Sequence, residues 1–278
     1  MIGVVVVSYR SDDLTVRFVR DQLGRITLPC RIVVVDNGAT AQEAEVLQQR
    51  IPEAVVLPAE NKGFAVGNNI GIRYLLEHGR PDRILLANND VVFVTERVVE
   101  ALAEVLDTHP DVGIVGPEVV GPDGRRQGPE PYQGMWKRYF WMYVSTPFLS
   151  RKAKRRLFDL DYAEQAAEGR HDKLVGAFML ADTDALVQAG LFDEGTFLYA
   201  EENILSDRMA AIGKYCWFCP SVRVLHDHGQ TVGRNFSTRR QDLLQWESMS
   251  YYYRKYRGYS AFSVRVLSVL FQMILSVK

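Results

Sequence analysis

The run Arg83-Ile84-Leu85-Leu86-Ala87-Asn88-Asn89-Asp90-Val91 decides how this chain folds. Its apolar residues stop abruptly at two amides and a carboxylate. A strand buried on both faces of a parallel sheet reads as such an unbroken apolar run. In an open α/β sheet, the carboxyl ends of the strands border the crevice where ligands bind. Asp90 is then a candidate for handling a metal ion or a phosphate. An Asx-rich turn would place the same three residues there for purely local reasons. The flanking sequence has to separate the two.

Upstream, the same pattern occurs three times. Ile2 to Val7 is apolar and β-branched and ends in Ser8-Tyr9-Arg10-Ser11-Asp12-Asp13, after which Leu14, Phe18 and Leu23 follow a helical spacing. Arg31 to Val35 ends in Asp36-Asn37-Gly38, and residues 41 to 50 read as a helix. Ala54 to Leu57 ends in Glu60-Asn61-Lys62-Gly63-Phe64 and leads into a helix from about Val66 to Glu77. The opening strand, Ile84 to Ala87, is followed by a helix over Val98 to Thr108, with Pro110 beyond its end. Strands alternating with helices across short loops predict an α/β fold with a doubly wound, mostly parallel sheet. No internal repeat of roughly 20 to 50 residues is visible.

Downstream the rhythm changes. Gly113 to Gly116 and Glu118 to Gly121 read as short strands before the turn Gly121-Pro122-Asp123-Gly124. Residues 129 to 156 interleave Trp136, Tyr139, Phe140, Trp141, Tyr143 and Phe148 with Lys and Arg. That mixture suits a membrane interface or a bulky anionic ligand, and equally a loop that packs its aromatics on the body. Leu174 to Asp182 reads as a strand, and Thr183 to Ala189 as a helix with Gly190 at its C-cap. Ile204 to Ile212 reads as a helix capped by Gly213. Tyr215 to Cys219 and Val222 to Leu225 are strand-like, the latter running into His226-Asp227-His228-Gly229. From Gln241 the chain is rich in Tyr, and Val264 to Val277 is apolar apart from Arg265. That uncharged run is shorter than the roughly 20 residues of a membrane span, so an interfacial or docked helix is expected. The expected division is 1–112, 113–240 and a helical extension over 241–278.

The 278 residues are 47% hydrophobic and 24% charged, which suffices for one large α/β domain or two small ones. A formal net charge of -1 gives no global attraction to nucleic acid. Cys30, Cys216 and Cys219 cannot build a disulfide framework, which points to a reducing compartment. Cys216 and Cys219 form a lone CxxC inside Tyr215-Cys216-Trp217-Phe218-Cys219, which reads as a strand before it reads as a zinc site. The sequence starts directly in a strand without a signal-peptide pattern, so a cytoplasmic location is expected.

In a parallel sheet the tips Ser8-Tyr9, Asp36, Asn61 and Asn88-Asn89-Asp90 line one crevice. Asp36 can accept the N–H of a pyrimidine ring. Asn61 to Asn69, including Gly63, Phe64, Gly67 and Asn68, is a glycine- and amide-rich turn into a helix N-terminus, a device that favours anions. Asp90 is a hard oxygen ligand suited to Mg²⁺ or Mn²⁺ bridging a diphosphate. His226 or His228 is the natural second donor. Glu201 and Glu202 are adjacent acids where a helix begins. One can cap the helix, and the other can serve as a general base.

Taken in order, these pieces resemble family 2 glycosyltransferases of the GT-A fold, in particular bacterial rhamnosyltransferase-like and capsule-type members. The motifs are Val5-Val6-Val7-Ser8-Tyr9, Val33-Val34-Val35-Asp36-Asn37-Gly38, Asn61-Lys62-Gly63-Phe64-Ala65-Val66-Gly67-Asn68-Asn69, Leu85-Leu86-Ala87-Asn88-Asn89-Asp90, Gly190-Leu191-Phe192-Asp193-Glu194, Phe197-Leu198-Tyr199-Ala200-Glu201-Glu202 and Leu225-His226-Asp227-His228-Gly229. The resemblance implies sugar transfer from a nucleotide-diphosphate donor with inversion at the anomeric carbon. It puts Asp36 at the nucleobase, Asp90 on the metal, and Glu202 at the catalytic base with Glu201 beside it. It puts Gly176, Ala177, Tyr199 and Trp136 on the acceptor side. The acceptor it implies is a saccharide or polyprenyl-linked saccharide, with peripheral contact to the inner face of a membrane and no nucleic-acid partner. Two positions depart from the family pattern. Asn88 stands where a DxD motif has its first aspartate, and Ile204 stands where the usual Glu-Asp-x-Asp-Leu has its second. A sugar nucleotidyltransferase is the enzymatic alternative, although Ser8-Tyr9-Arg10-Ser11-Asp12 lacks the glycine-rich loop such enzymes use. A non-catalytic sugar-nucleotide binding protein is the other.

Overall fold

The computed structural model describes residues 1–141, 149–227 and 237–277. Nine strands form one sheet: β1 (Ile2–Ser8), β2 (Cys30–Asn37), β3 (Ala54–Ala59), β4 (Arg83–Ala87), β5 (Val91–Phe93), β6 (Val112–Val120), β7 (Gly169–His171), β8 (Phe178–Asp182) and β9 (Tyr215–His226). The spatial order is β3-β2-β1-β4-β8-β6-β9-β5, with β7 also on β9. The first four strands run parallel. β8 is antiparallel to β4 and β6, β6 and β9 run parallel, and β5 and β7 are antiparallel to β9. The sheet is therefore mixed, with its longest ladders parallel.

Alternation along β1 explains its unbroken Val run. Val4 and Val6 pack into one core and Val5 into the other, because both faces of the sheet are covered. Burying each Val stabilises the fold by on the order of 2 kcal/mol, so a charge is not tolerated until the strand tip. Between the parallel strands lie α1 (Asp12–Arg17), α2 (Ala41–Arg50) and α3 (Phe64–Glu77), and α4 (Val98–Thr108) precedes β6. α2 starts in a full capping box, Thr40 with Glu43. The later helices are α5 (Arg151–Leu157), α6 (Tyr162–Gln165), α7 (Thr183–Gln188), α8 (Glu201–Ala211), α9 (Thr238–Tyr256) and α10 (Ala261–Val277).

Several expected elements differ. The two strands expected over 113–121 are one strand, β6, and those expected over 215–225 are one strand, β9. The register jumps from Pro117↔Cys219 to Glu118↔Arg223, which leaves Pro220, Ser221 and Val222 outside a ladder that continues on either side. The strand expected over 174–182 begins at Phe178, and Gly176 and Ala177 form a turn ahead of it. Cys216 and Cys219 are buried within β9, as the strand reading requires.

The Tyr-rich C-terminus does not stand apart. Met135, Tyr139, Ala200, Ile204, Trp246, Met249, Tyr252, Tyr253, Val264, Leu267 and Phe271 form a third core. α10 is docked by Val264, Leu267 and Phe271 while Phe262, Val269 and Met273 stay exposed. Among the described residues, no helix is long and apolar enough to cross a membrane.

Candidate active site

The carboxyl ends of β1, β2 and β4 open on a cavity of about 500 Å³. Tyr9, Asn61, Gly63, Phe64, Asn88, Asn89 and Asp90 line its strand-tip side. Gly176, Ala177, Tyr199, Glu201, Glu202 and His226 line it as well. The topology accounts for this convergence. β9 ends at His226, paired directly with Val91 of β5, so the histidine arrives beside Asp90 from a distant part of the chain.

Three residues form one polar corner. The Nε2 of His226 is 3.4 Å from Asp90 Oδ1 and 3.4 Å from Asn88 Nδ2. Gln127 donates from Nε2 to the His226 carbonyl at 2.8 Å, which turns its Oε1 towards the ring, 2.7 Å from Nδ1. That amide orientation puts the imidazole proton on Nδ1 and directs the Nε2 lone pair at Asp90. Asp90 Oδ1 and Asn88 Oδ1 are buried without a hydrogen-bond partner among the described residues. A buried carboxylate oxygen, Asp90 Oδ1, facing an imidazole nitrogen offers a hard cation two donors. Two donors 3.4 Å apart can share an ion bonded at about 2.1 Å. Among the described residues, no cluster of three or more His, Cys, Asp and Glu side chains surrounds such a position. Asn88, where the family motif has an aspartate, turns its Nδ2 to the same imidazole nitrogen. His228 lies outside the described residues.

The second feature is the start of α8. Tyr199 and Ala200 both adopt left-handed backbone conformations, φ 71° and 67°. Two successive non-glycine residues there carry strain that the surroundings must hold. The holding contacts are visible. Phe64 donates its backbone N–H to the Phe197 carbonyl at 2.8 Å, and Gly63, at φ 104°, lies so close to Phe197 that a Cβ would sit 2.3 Å from that carbonyl oxygen. Ser248 of α9 donates to the Leu198 carbonyl at 2.7 Å. The outcome is two unlike carboxylates. Glu201 is buried, its Oε2 lacks a partner among the described residues, and burial followed by the Glu202 charge pushes it up to about 8. Glu202 is partly exposed in the cavity, with Lys173 Nζ 4.0 Å from its Oε1.

The family model described as "Glycosyltransferase like family 2" matches residues 1–246. The chain belongs to glycosyltransferase family 2. The transferase is 28% identical over 251 residues to the N-acetylglucosaminyl-diphospho-decaprenol L-rhamnosyltransferase of Mycobacterium tuberculosis, across 84% of this chain and 78% of the relative. It is 23% identical over 206 residues to the low-salt glycan biosynthesis hexosyltransferase Agl10 of Haloferax volcanii, across 72% of this chain and 59% of the relative. Among solved structures it resembles the mannosyltransferase PcManGT of Pyrobaculum calidifontis in complex with GDP-Man and Mn²⁺, with a TM-score of 0.61 and 14% identity, covering 93% of this chain and 64% of that one. GalNAc-T7 with UDP, GalNAc and Mn²⁺ matches with a TM-score of 0.57 and 14% identity, covering 82% of this chain and 44% of that one. The fold is the GT-A glycosyltransferase fold.

Not every residue expected in the site of this transferase reaches the cavity wall. Ser8 is buried and accepts from Thr15 Oγ1 at 2.9 Å. Asp36 is buried at the tip of β2, in register with Ser8, and burial, then the charges of Asp12 and Glu43, raise it to about 6. Gly67 makes room for helix packing, since a Cβ there would lie 3.0 Å from Val7. Asn68 donates to the Phe64 carbonyl one turn back at 3.0 Å. Asn89, although it lines the cavity, donates to Ser11 Oγ and Thr15 Oγ1, both at 2.8 Å, and so anchors α1 to β4. Trp136 is a correction. Its side chain packs against the C-terminal core, edge-on to Phe140 at 5.7 Å, and does not line the cavity. Tyr143 and Phe148 lie outside the described residues. Sequence reasoning missed Gln127, Glu130, Lys173 and Gln245, which line the cavity together with Arg138 of the aromatic and basic segment. They come from irregular segments or from α9, where no periodicity marks the inward face.

Proposed function

We propose that this chain transfers a sugar, with inversion, from a nucleotide-diphosphate donor to a hydroxyl of a lipid-linked saccharide. The observation that carries this is one cavity holding both the Asp90–His226 corner and the Glu202 carboxylate. Glu202 takes the proton of the acceptor hydroxyl as that oxygen bonds to the anomeric carbon. The bond from the anomeric carbon to the donor phosphate oxygen breaks, and its electron pair leaves with the nucleoside diphosphate. Attack from the face opposite the leaving group inverts the centre. Asp90 and His226, with Asn88 alongside, would hold Mg²⁺ or Mn²⁺. When bound, that ion supplies Lewis-acid neutralisation of the departing diphosphate. The N-terminus of α3, whose first residue Phe64 lines the cavity, adds the positive end of its helix dipole. Asp36 accepts the nucleobase N–H at the far end of the donor site.

The chemistry of the mycobacterial relative, whose acceptor is a lipid diphosphate sugar, supports a polyprenyl-linked acceptor and rhamnose as the first donor sugar to try. Exposed Trp141, Leu157, Leu160 and Phe262, with basic residues throughout α5, support peripheral contact with the inner membrane face. Transfer by the purified chain, with and without Mn²⁺, tests the activity. Full activity in Glu202→Gln would remove the base assignment, and unchanged Mn²⁺ dependence in Asp90→Ala would remove the ligand assignment. Flotation of the full chain with anionic liposomes tests the membrane contact.

A further inference from the structure

The cavity contains a cationic pair that the mechanism above does not use. Lys173 Nζ lies 2.7 Å from Glu130 Oε2, and Arg138 Nη1 lies 3.5 Å from the same oxygen. The cations are the sheltered members, with side chains 12% and 27% exposed, whereas Glu130 is 41% exposed. One carboxylate oxygen thus sits where an ammonium and a guanidinium converge, an arrangement that fits a phosphate oxygen equally well. Neither cation belongs to the strand tips that carry Asp90. Lys173 lies just ahead of the Gly176 turn, and Arg138 lies in the helical turn Lys137–Trp141, beside the C-terminal core.

We propose that Arg138 and Lys173 form a subsite for the phosphate groups of the acceptor, with Glu130 as an internal anion that the phosphate displaces. The inference rests on the glycosyl-transfer reading and deepens it. The order of groups matches the order of chemistry in an amphiphilic acceptor. Glu202 meets the sugar hydroxyl, and Lys173, 4.0 Å from Glu202, comes next. Arg138 follows through Glu130, and the helical turn that carries it packs Tyr139 against Phe271 of α10 and ends at the exposed Trp141. A sugar, a diphosphate and an apolar chain laid along that line each meet a group of fitting character. The donor diphosphate, in contrast, has its own devices at Asp90, His226 and the N-terminus of α3.

The test is calorimetric titration of decyl diphosphate, below its micelle concentration, into the full chain and three variants. Wild type is expected to bind it, and neutral decyl glucoside sets the background. Arg138→Gln and Lys173→Met are expected to weaken binding about 10-fold or more, the loss of one charge-assisted contact. Glu130→Gln is expected to tighten binding about 3-fold, because it frees both cations at the cost of a partly exposed ion pair. A gain of affinity cannot arise from misfolding. Inorganic pyrophosphate is expected to bind about 10-fold more weakly than decyl diphosphate if the subsite serves an amphiphile. The proposal is overturned by no wild-type binding, by unchanged affinity in Arg138→Gln and Lys173→Met, by weakened binding in Glu130→Gln, or by equal affinity for inorganic pyrophosphate. It is also overturned if Arg138→Gln weakens nucleoside diphosphate binding in Mn²⁺ as much as it weakens decyl diphosphate, since the pair would then serve the donor. The glycosyl-transfer reading fails separately, by absence of nucleoside diphosphate binding or of sugar transfer in the wild type.

Discussion

Glu201 and Glu202 are neighbours in sequence and opposites in environment, and that contrast supports the different roles proposed for them. Glu201 is buried beside a charged neighbour and held up near 8, so it stays protonated at neutral pH, while Glu202 keeps access to the cavity. The consequence for stability has a definite sign. An acid raised from 4.5 to about 8 in the fold adds no penalty at low pH. It destabilises the folded chain progressively as pH rises from its unfolded value through about 8. Glu201→Gln mimics the protonated form. Its melting temperature relative to wild type is therefore expected to climb between pH 5 and pH 8, read by circular dichroism, and a constant difference would exclude a protonated Glu201. Asp36 gives a second pH signature. With its carboxyl raised to about 6, it is ionised above that pH and neutral below. If it accepts a nucleobase N–H, nucleotide-sugar affinity falls as pH drops through 6, and Asp36→Asn has weaker binding at pH 7.5 without that pH dependence. Affinity that is flat from pH 7.5 to 5 in the wild type would remove Asp36 from the donor site.

At the scale of elements, the turn ahead of α3 and the loop ahead of α8 are clamped together at one glycine. Gly63 combines φ 104° with the backbone of Phe197 in contact, so any side chain both strains the turn and pushes the loop that leads to Glu202. Gly63→Ala is expected to destabilise the chain by about 1–3 kcal/mol and to lower kcat together with donor affinity. A loss confined to donor affinity would show that the clamp does not reach α8. This coupling was half legible beforehand. Strands β1 to β4 and their polar tips could be read because a strand buried on both faces must be an unbroken apolar run, and Asp90 followed from it. The 3-residue strands β5 and β7 could not be read, because each is defined by pairing with β9 rather than by any pattern of its own. β6 and β9 look like two short strands each, because the sequence pattern does not show the bulge that carries one ladder across the interruption. Trp136, Arg138 and Lys173 show the same limit at side-chain level. Aromatic and cationic residues in an irregular segment announce a surface or a site, and only the packing of Tyr139 into the C-terminal core decides which of them turns inward.

At the scale of the whole molecule, the C-terminal helices bear on catalysis through the loop they hold. Asp193 is buried, and it accepts from Lys255 Nζ at 2.8 Å, Tyr256 Oη at 2.5 Å, the Gly195 N–H at 2.9 Å and Tyr251 Oη at 3.0 Å. Burial alone would raise this carboxyl, but those hydrogen bonds hold it far below the usual range. Three of the four donors come from α9, and Ser248 of the same helix fixes the Leu198 carbonyl. Removing α9 would leave the buried Asp193 carboxylate with the Gly195 N–H and the Arg208 guanidinium, 3.4 Å away, and without its three strongest side-chain donors. Breaking such a buried pair costs on the order of 3–5 kcal/mol, a large share of the stability of a typical domain. Removing α10 alone is milder, since it uncovers Tyr139, Trp246 and Met249 but leaves the Asp193 contacts in place. Chains ending at residues 278, 258 and 240 should therefore melt in that descending order. The full chain should show one cooperative transition, and the shortest should bind nucleoside diphosphate weakly and lose transfer. The point variant Asp193→Asn should reproduce much of the defect of the shortest chain, because it removes the charge that Lys255 and both tyrosines converge on. If the chain ending at 240 melts as cooperatively as the full chain and transfers sugar to a soluble acceptor, α9 serves only as an attachment, and the geometry of Glu202 is set by the sheet alone.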